Sequence, residues 1–199
     1  YRLAVDEAQT KIALPEVMLG IVPGWGGMLR LPQKVGAAAA LDMMLTGKSI
    51  DARRAQKMGL VDVCVPPRVM DNAARLLVNS GQMPRTLPFF QRLLNGPLKG
   101  IVAAQARKQV ARRARPEHYP APYAILDIWA NYGGNALDVP AGKPASLDAL
   151  ITSPTTKNLL RVFSLQERLK GFGKEAPGFV ALPALPVTLP AATVGATGA

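Results

Sequence analysis

The sequence predicts an α/β fold, because short strand-like segments and longer stretches of helical spacing follow one another along the chain. Residues 1–14 read as an extended segment, and residues 60–65 form a second β-like apolar run. Helical spacing fills the stretches between and after these segments. Of the 199 residues, 49% are hydrophobic and 19% are charged, which is the balance of a soluble globular protein with a core.

Glycines, prolines and polar residues delimit the predicted helices. Helical spacing begins at Gly26, after a glycine-rich turn, and continues to Leu45, where Gly47 ends it. The loop over residues 46–51 supplies a polar cap to the next helix. That helix covers residues 52–58, and further helices are predicted over residues 69–78, 98–115, 123–132 and 155–170.

Two proline-containing segments interrupt this pattern. We expect residues 140–144 to form a linker, and residues 178–199, which hold no charge and three prolines, to be disordered. The abrupt change of composition after Pro177 suggests a reading-frame accident as its origin. Because Tyr1 leads directly into a strand-like segment, we expect the chain to begin inside a domain.

Composition restricts the class of protein. No uninterrupted apolar run reaches the roughly 18 residues of a transmembrane helix. The single cysteine, Cys64, excludes an internal disulfide framework, offers no metal-ligand set and fits a cytoplasmic location. Within its β-like run we expect it to be a buried structural thiol rather than a nucleophile. The net charge of +11 indicates affinity for polyanions, whether nucleic acid, acidic membrane or phosphorylated metabolites.

The most informative stretch covers residues 13–27. Glu16 is a lone carboxylate among apolar residues, and the preceding Pro15 restricts the backbone there. Burial among such neighbours favours the protonated carboxyl, which is the form that a general acid requires. The glycines that follow let the backbone approach a ligand and lead into a helix N-terminus. Spacing alone leaves open a solvent-facing turn residue at Glu16, with glycines that serve only turn geometry.

This stretch contains the pattern Pro15-Glu16-x-x-Leu19-Gly20-Ile21-x-Pro23-Gly24-x-Gly26-Gly27, which resembles the signature loop of the enoyl-CoA hydratase/isomerase, or crotonase, superfamily. Four later segments resemble that family in the same order: Arg30-Leu31-Pro32, Leu45-Thr46-Gly47, Ala52-x-x-Ala55 and Gly59-Leu60-Val61-Asp62. Residues 118–125 and 153–170 resemble specifically the bifunctional fatty-acid oxidation α-subunits. The resemblance extends from residue 1 to about residue 175.

The resemblance implies a particular architecture. We expect the C-terminal part of a crotonase-type β-β-α spiral, followed by helices and a linker helix. Residues 1–140 would be the C-terminal part of a hydratase domain, residues 141–175 a linker helix toward a 3-hydroxyacyl-CoA dehydrogenase domain, and residues 176–199 a disordered tail.

The resemblance also implies a reaction, the hydration of 2-enoyl-CoA to 3-hydroxyacyl-CoA in fatty-acid β-oxidation. Glu16 matches the second of the family's two catalytic glutamates, and Gly20, Pro23, Gly24 and Trp25 would bind substrate. The first glutamate and the oxyanion-hole amides belong to upstream segments that have no match here, so we expect the isolated 199 residues to be poorly active or inactive. Trp25, bulky where many relatives have a small residue, either narrows the acyl pocket or packs in the core.

Cofactor and partner expectations follow from the same resemblance. The substrate carries coenzyme A, and NAD would bind only the missing dehydrogenase domain, since residues 194–198 are too short for a nucleotide-binding fingerprint. The partners would be an acyl-CoA thioester and, in an intact complex, a thiolase β-subunit. Enoyl-CoA isomerisation stays open as the reaction. Binding of nucleic acid or another polyanion by the basic helix over residues 98–115 is the alternative without catalysis, but we expect no nucleic-acid partner, because that helix lacks interleaved aromatic residues for base stacking.

Overall fold

A computed structural model of the chain describes residues 1–81 and 83–175. Residues 1–161 form one compact unit, and a second unit begins at Val162. The predicted disordered tail over residues 176–199 lies outside the described residues. The predicted division at residues 140 and 175 stays a prediction.

The β structure is small. Strands β1 (Leu3–Val5) and β2 (Val63–Val65) pair in parallel and form a two-stranded sheet. The predicted extended segment over residues 1–14 also touches the rest of the fold at Ile12, which forms an isolated antiparallel bridge with Ile50. Two mutual backbone hydrogen bonds of 2.9 Å close that bridge.

An ion pair fixes the register of the sheet at its start. The Arg2 guanidinium donates to Asp62 from Nη2 to Oδ1 at 2.7 Å and from Nε to Oδ2 at 3.2 Å. The Arg2 amide also donates to Asp62 Oδ2 at 2.8 Å, and the Asp62 amide donates to the Arg2 carbonyl at 2.7 Å. The strand predicted to begin at Leu60 starts later, because the Leu60 and Val61 amides still donate to the Ala55 carbonyl of the preceding helix.

Helices make up most of the structure. Helices α1 to α9 cover Gly27–Val35, Ala37–Thr46, Ala52–Met58, Met70–Asn79, Phe89–Asn95, Lys99–Ala111, Pro120–Asn131, Leu147–Thr152 and Pro154–Glu175. Short 3₁₀ turns lie at Pro15–Leu19, Pro67–Val69 and Ala136–Asp138. The predicted α/β class is therefore confirmed, with a strong excess of helix.

Two helix predictions need correction. The continuous helix expected from Gly26 to Leu45 is two helices, because Gly36 adopts φ 83° and ψ 162° and interrupts the helical path. Its amide still donates to the Pro32 carbonyl, which ends α1, and its carbonyl accepts from the Ala40 amide, which begins α2. Helices α5 and α8 were not predicted. By contrast α3 has the predicted bounds.

The core lies where α1, α2 and α7 meet. Its largest fully buried side chains include Met28, Met44 and Ile125, one from each of these helices. Burying a side chain of this size stabilises the fold by roughly 1.5–3 kcal/mol. Helices α4, α5 and α6 contain no buried residue.

The basic helix α6 covers one edge of the core. Val102, Ala103, Ala106 and Val110 are partly buried against the core, while Lys108 is exposed and the Arg107 guanidinium lies over the ring of Tyr123, 5.6 Å from its centre. The predicted amphipathic pattern is weaker than expected, because Ile101, which belongs to the predicted apolar set, is 69% exposed, and the helix ends at Ala111 rather than at residue 115. Across the residues that the structure describes, no helix is both long enough and apolar enough to span a membrane.

Candidate active site

Glu16 lies in the 3₁₀ turn Pro15–Leu19, where the sequence predicted only irregular structure. Pro15 occupies the first position of the turn, where its fixed φ fits and its missing amide hydrogen is not needed. The turn ends at Gly20, whose φ of 78° is left-handed. The Gly20 amide donates to the Val17 carbonyl at 3.1 Å, and the Ile21 amide donates to the Glu16 carbonyl at 3.2 Å. The backbone of Glu16 is therefore held by the residues that follow it.

Gly20 allows this turn to lie directly against the first turn of α9. A Cβ at Gly20 would lie 2.8 Å from Thr156 Oγ1 and 3.2 Å from Thr156 Cα, which is closer than real Cβ atoms approach. Because the φ of Gly20 is also left-handed, both the space and the backbone conformation demand glycine.

A second glycine allows close packing against another side of the Glu16 turn. Gly47 ends α2 in a left-handed conformation with φ 65°. A Cβ there would lie 2.8 Å from Met18 Cγ and 3.3 Å from Pro15 Cα. The turn that carries Glu16 is therefore packed against both the end of α2 and the start of α9.

The carboxyl group of Glu16 has an unusual environment. Its Oε2 atom is buried and has no hydrogen-bond partner among the described residues. Leaving such an atom without a partner costs about 1–3 kcal/mol, and more when the group is charged. At this oxygen, Glu16 is not a solvent-facing turn residue. The arrangement leaves one acceptor free for a proton or a donor from a bound molecule.

The rest of the loop divides between buried and exposed residues. Pro23 is fully buried, and Gly24 lies beside Leu147 at the start of α8. The Trp25 side chain is 92% exposed, so it does not pack in the core, and that alternative was wrong. Arg30 holds the loop at this point, because its Nη2 donates to the Trp25 carbonyl at 2.7 Å. A substrate-binding role for these loop residues, and for Gly20, stays a prediction.

A cavity of about 310 Å³ adjoins the loop. Leu14, two residues before Glu16, and Gly27, at the end of the loop, both line it. Neither Glu16 nor Trp25 is among its lining residues in the part of the chain that the structure describes. The remaining lining residues are five apolar ones and three cations. The apolar residues are Ile12, Ala13, Leu31, Met43 and Leu60, and the cations are Arg2, Arg30 and Lys34.

This lining combines apolar walls with a few charged groups, which suits a ligand that has an apolar part and an anionic part. Sequence reasoning used Arg30 and Leu31 only as parts of a motif and did not place them at a cavity. Helical spacing was the signal that could have placed them there. Gly27, Arg30, Leu31 and Lys34 are separated by steps of three and four residues, and residues so spaced share one face of a helix.

Thr156 is the other residue that sequence reasoning missed. The segment Ser153-Pro154 correctly predicted the start of a helix, because serine and proline favour those positions. Nothing in that signal indicates that the Thr156 hydroxyl would reach Gly20. The hydroxyl donates to the Gly20 carbonyl at 2.9 Å, across 136 residues of sequence.

Cys64 does not take part in this site. It lies in β2 and is half-buried, where the sequence predicted full burial. Burial raises the pKa of its thiol, and the neighbouring Asp6 carboxylate adds to the increase. A raised pKa lowers the fraction of reactive thiolate, so the predicted structural role is favoured over a nucleophilic one.

Comparison with known proteins connects this geometry to a family. Residues 1–113 match a family described as enoyl-CoA hydratase/isomerase. Fatty acid oxidation complex subunit alpha from two strains of Vibrio cholerae serotype O1 is 43% identical to the chain over 134 residues. The match includes 64% of this chain and 19% of that subunit, so the chain spans about a fifth of the length of these curated relatives.

Two solved structures that match part of the chain are the following. Carnitinyl-CoA hydratase from Mycobacterium avium is 21% identical, with a TM-score of 0.46, and the match covers 82% of this chain and 51% of that one. Enoyl-CoA hydratase from Mycobacterium tuberculosis H37Rv is 27% identical, with a TM-score of 0.36 and coverage of 82% and 52%.

Proposed function

The chain belongs to the enoyl-CoA hydratase/isomerase family, and on that premise we propose that Glu16 is an acid–base carboxylate in the hydration of 2-enoyl-CoA thioesters. The observation that carries the proposal is the buried, unpartnered Oε2 atom of Glu16 in a turn packed on two sides. Hydration adds a hydroxyl group to C3 of the substrate and a proton to C2. In this proposal the Glu16 carboxyl group exchanges the C2 proton with the substrate.

The cavity beside the loop supports an acyl-CoA thioester as the substrate class. Its apolar lining fits the acyl and pantetheine portions of such a thioester, whereas Arg2 at that lining is already paired with Asp62. No cofactor is proposed for these residues, because coenzyme A arrives on the substrate and hydration transfers no electrons.

The wider role proposed is fatty-acid β-oxidation, since the curated relatives are named as subunits of a fatty acid oxidation complex. A 3-hydroxyacyl-CoA dehydrogenase domain that binds NAD and a thiolase β-subunit belong to the same proposal for the whole protein. A cytoplasmic location stays a prediction.

The test places Glu16 in the context of a full-length relative. Residues 1–161 replace the matching segment of the Vibrio cholerae subunit, and hydration of a short 2-enoyl-CoA is followed by the loss of enoyl thioester absorbance. Glu16→Gln is expected to lower kcat at least about a hundredfold, because general acid–base groups contribute that much or more. Glu7→Gln, which alters an exposed carboxylate nearby, is the matched control and is expected to leave kcat unchanged. Unchanged turnover in Glu16→Gln would refute the proposed role.

Isomerisation is the second candidate reaction, because a proton shift between two carbons needs only one carboxylate. Glu16 is the one catalytic position of the family that this chain matches. Incubating the chimera separately with a 3-enoyl-CoA and with a 2-enoyl-CoA separates the two reactions, since isomerisation converts the 3-enoyl-CoA to a 2-enoyl-CoA, whereas hydration converts the 2-enoyl-CoA to a 3-hydroxyacyl-CoA.

A further inference from the structure

We propose that Thr156 is a positioning residue for Glu16, and that it acts through a single peptide group, the one between Gly20 and Ile21. The inference rests on the proposed function of Glu16 and adds a residue from the opposite end of the described chain. Thr156 contributes no atom to the reaction in this proposal.

The first step is the burial of the hydroxyl group. Thr156 is completely buried, and its Oγ1 donates to the Gly20 carbonyl at 2.9 Å. Gly20 itself is buried. Leaving a buried carbonyl without a donor is unfavourable, so this bond is a strong constraint on the turn.

The second step fixes the direction of the hydrogen bonds. A carbonyl oxygen only accepts, so the hydroxyl hydrogen of Thr156 must point to Gly20. Ser153 Oγ then donates to Thr156 Oγ1 at 3.0 Å, and it accepts from the Thr156 amide at 3.2 Å. Ser153 therefore caps the start of α9 and also orients the hydroxyl that reaches the turn.

The third step transmits this constraint to Glu16. The Gly20 carbonyl and the Ile21 amide belong to one planar peptide group, so they move together. Thr156 holds the oxygen of that group, and the Glu16 carbonyl accepts from its amide at 3.2 Å. One rigid peptide group thus connects the helix α9 to the backbone of the catalytic candidate.

The adjacent threonine provides a matched control. Thr155 lies in the same turn of α9, and its Oγ1 donates to the His118 carbonyl at 2.9 Å. It makes the same kind of bond to a distant backbone oxygen, but not to the loop that carries Glu16. Thr155→Val removes one such bond and leaves the Gly20–Ile21 peptide group held.

The first measurement is amide hydrogen exchange by NMR on the full chain. Thr156→Val, which keeps the shape and removes the hydroxyl, is expected to speed exchange of the Ile21 amide about tenfold, the effect of losing one hydrogen bond. Thr156→Ser is expected to restore slow exchange, and Thr155→Val to leave it unchanged. The Tyr132 amide, which donates to the Ile128 carbonyl at the end of α7, reports the stability of the core. Equal acceleration at Ile21 and Tyr132 would mean a merely structural role and would overturn the inference.

The second measurement uses the chimera described above. Thr156→Val is expected to lower kcat about tenfold with KM within about twofold, because a misplaced catalytic group affects the chemical step more than binding. Thr156→Ser is expected to recover the rate. If Glu16→Gln abolishes turnover while Thr156→Val changes neither kcat nor Ile21 exchange, the inference is wrong and the proposed function stands. If Glu16→Gln has no effect, the proposed function fails instead, whatever the exchange rates show.

Discussion

Helices α6 and α7 pack against each other and have similar lengths, yet they contribute differently to the fold. Six of the twelve residues of α7 are buried: Ala121, Ala124, Ile125, Leu126, Ile128 and Trp129. None of the thirteen residues of α6 is buried, and its outer face is basic. The core therefore depends on α7, whereas α6 only covers the edge of the core.

The Glu16 turn resembles α7 rather than α6, because it packs against buried residues. It packs on α2, which has five buried residues, and on Thr156, which is completely buried. A turn supported by close-packed structure keeps its geometry, since such packing resists small displacements. The helices without buried residues are better suited to vary in sequence.

The largest expected difference comes from equivalent isoleucines in the two helices. Ile125 in α7 is 0% exposed, and Ile101 in α6 is 69% exposed. Ile125→Ala is expected to lower the free energy of unfolding by about 2–5 kcal/mol, the usual cost of a large-to-small change in a core. Ile101→Ala is expected to change it by no more than about 0.5 kcal/mol. Urea denaturation of the two variants measures both values, and similar losses would break the comparison.

A smaller effect is expected from the ion pair at the start of the sheet. Burial alone would raise the pKa of Asp62, whose side chain is only 9% exposed, but the hydrogen bonds from Arg2 together outweigh burial and lower it. A lowered folded pKa stabilises the protein above the unfolded value of about 3.9 and loses that effect as pH falls. Asp62→Asn is therefore expected to cost about 1.5–3 kcal/mol at neutral pH, with the difference shrinking below about pH 4.

Asp71 is the control for that experiment. It lies exposed in the first turn of α4, a helix without buried residues. Asp71→Asn is expected to change the free energy of unfolding by about 0.5 kcal/mol. Denaturation curves at several pH values compare the two variants. A pH-independent loss in Asp62→Asn would contradict the ion-pair explanation.

The smallest expected effect is on thiol reactivity. The pKa of Cys64 is raised by burial and by Asp6, so its alkylation by iodoacetamide should require higher pH than that of an exposed thiol. The exposed thiol for comparison comes from a double variant. Cys64→Ser removes the native thiol, and Val78→Cys introduces a new one in α4 at a position that is 70% exposed. An equal or lower midpoint pH for Cys64 would show that its environment is not the one described.

Local signals explain how much of the fold the sequence could predict. Helix α3 has the predicted bounds because Asp51 caps its start, accepting from the Arg54 amide at 2.7 Å, and the left-handed Gly59 ends it. The break at Gly36 was missed because a single glycine in an apolar helical run is tolerated. A Cβ there would lie 2.8 Å from Gln91 Oε1, a contact that depends on tertiary structure and not on local sequence.

The features of the candidate site also divide into those that local sequence indicates and those that depend on tertiary structure. The burial of Glu16 Oε2 agrees with the apolar neighbours of Glu16, although the sequence left a solvent-facing turn residue open at that position. The exposure of Trp25 and the bond from Thr156 to Gly20 depend on how distant segments pack, and no spacing rule relates positions 20 and 156. Sequence reasoning therefore identified the acid–base candidate and missed the residue that holds its turn.

The bond from Thr156 to Gly20 has a consequence for biosynthesis. A ribosome makes the Glu16 turn near the beginning of these residues and makes Thr156 more than a hundred residues later. Until then the Gly20 carbonyl has no Thr156 hydroxyl to bind. The Glu16 turn can therefore reach its final hydrogen bonding only after a segment 136 residues further along the chain has been translated.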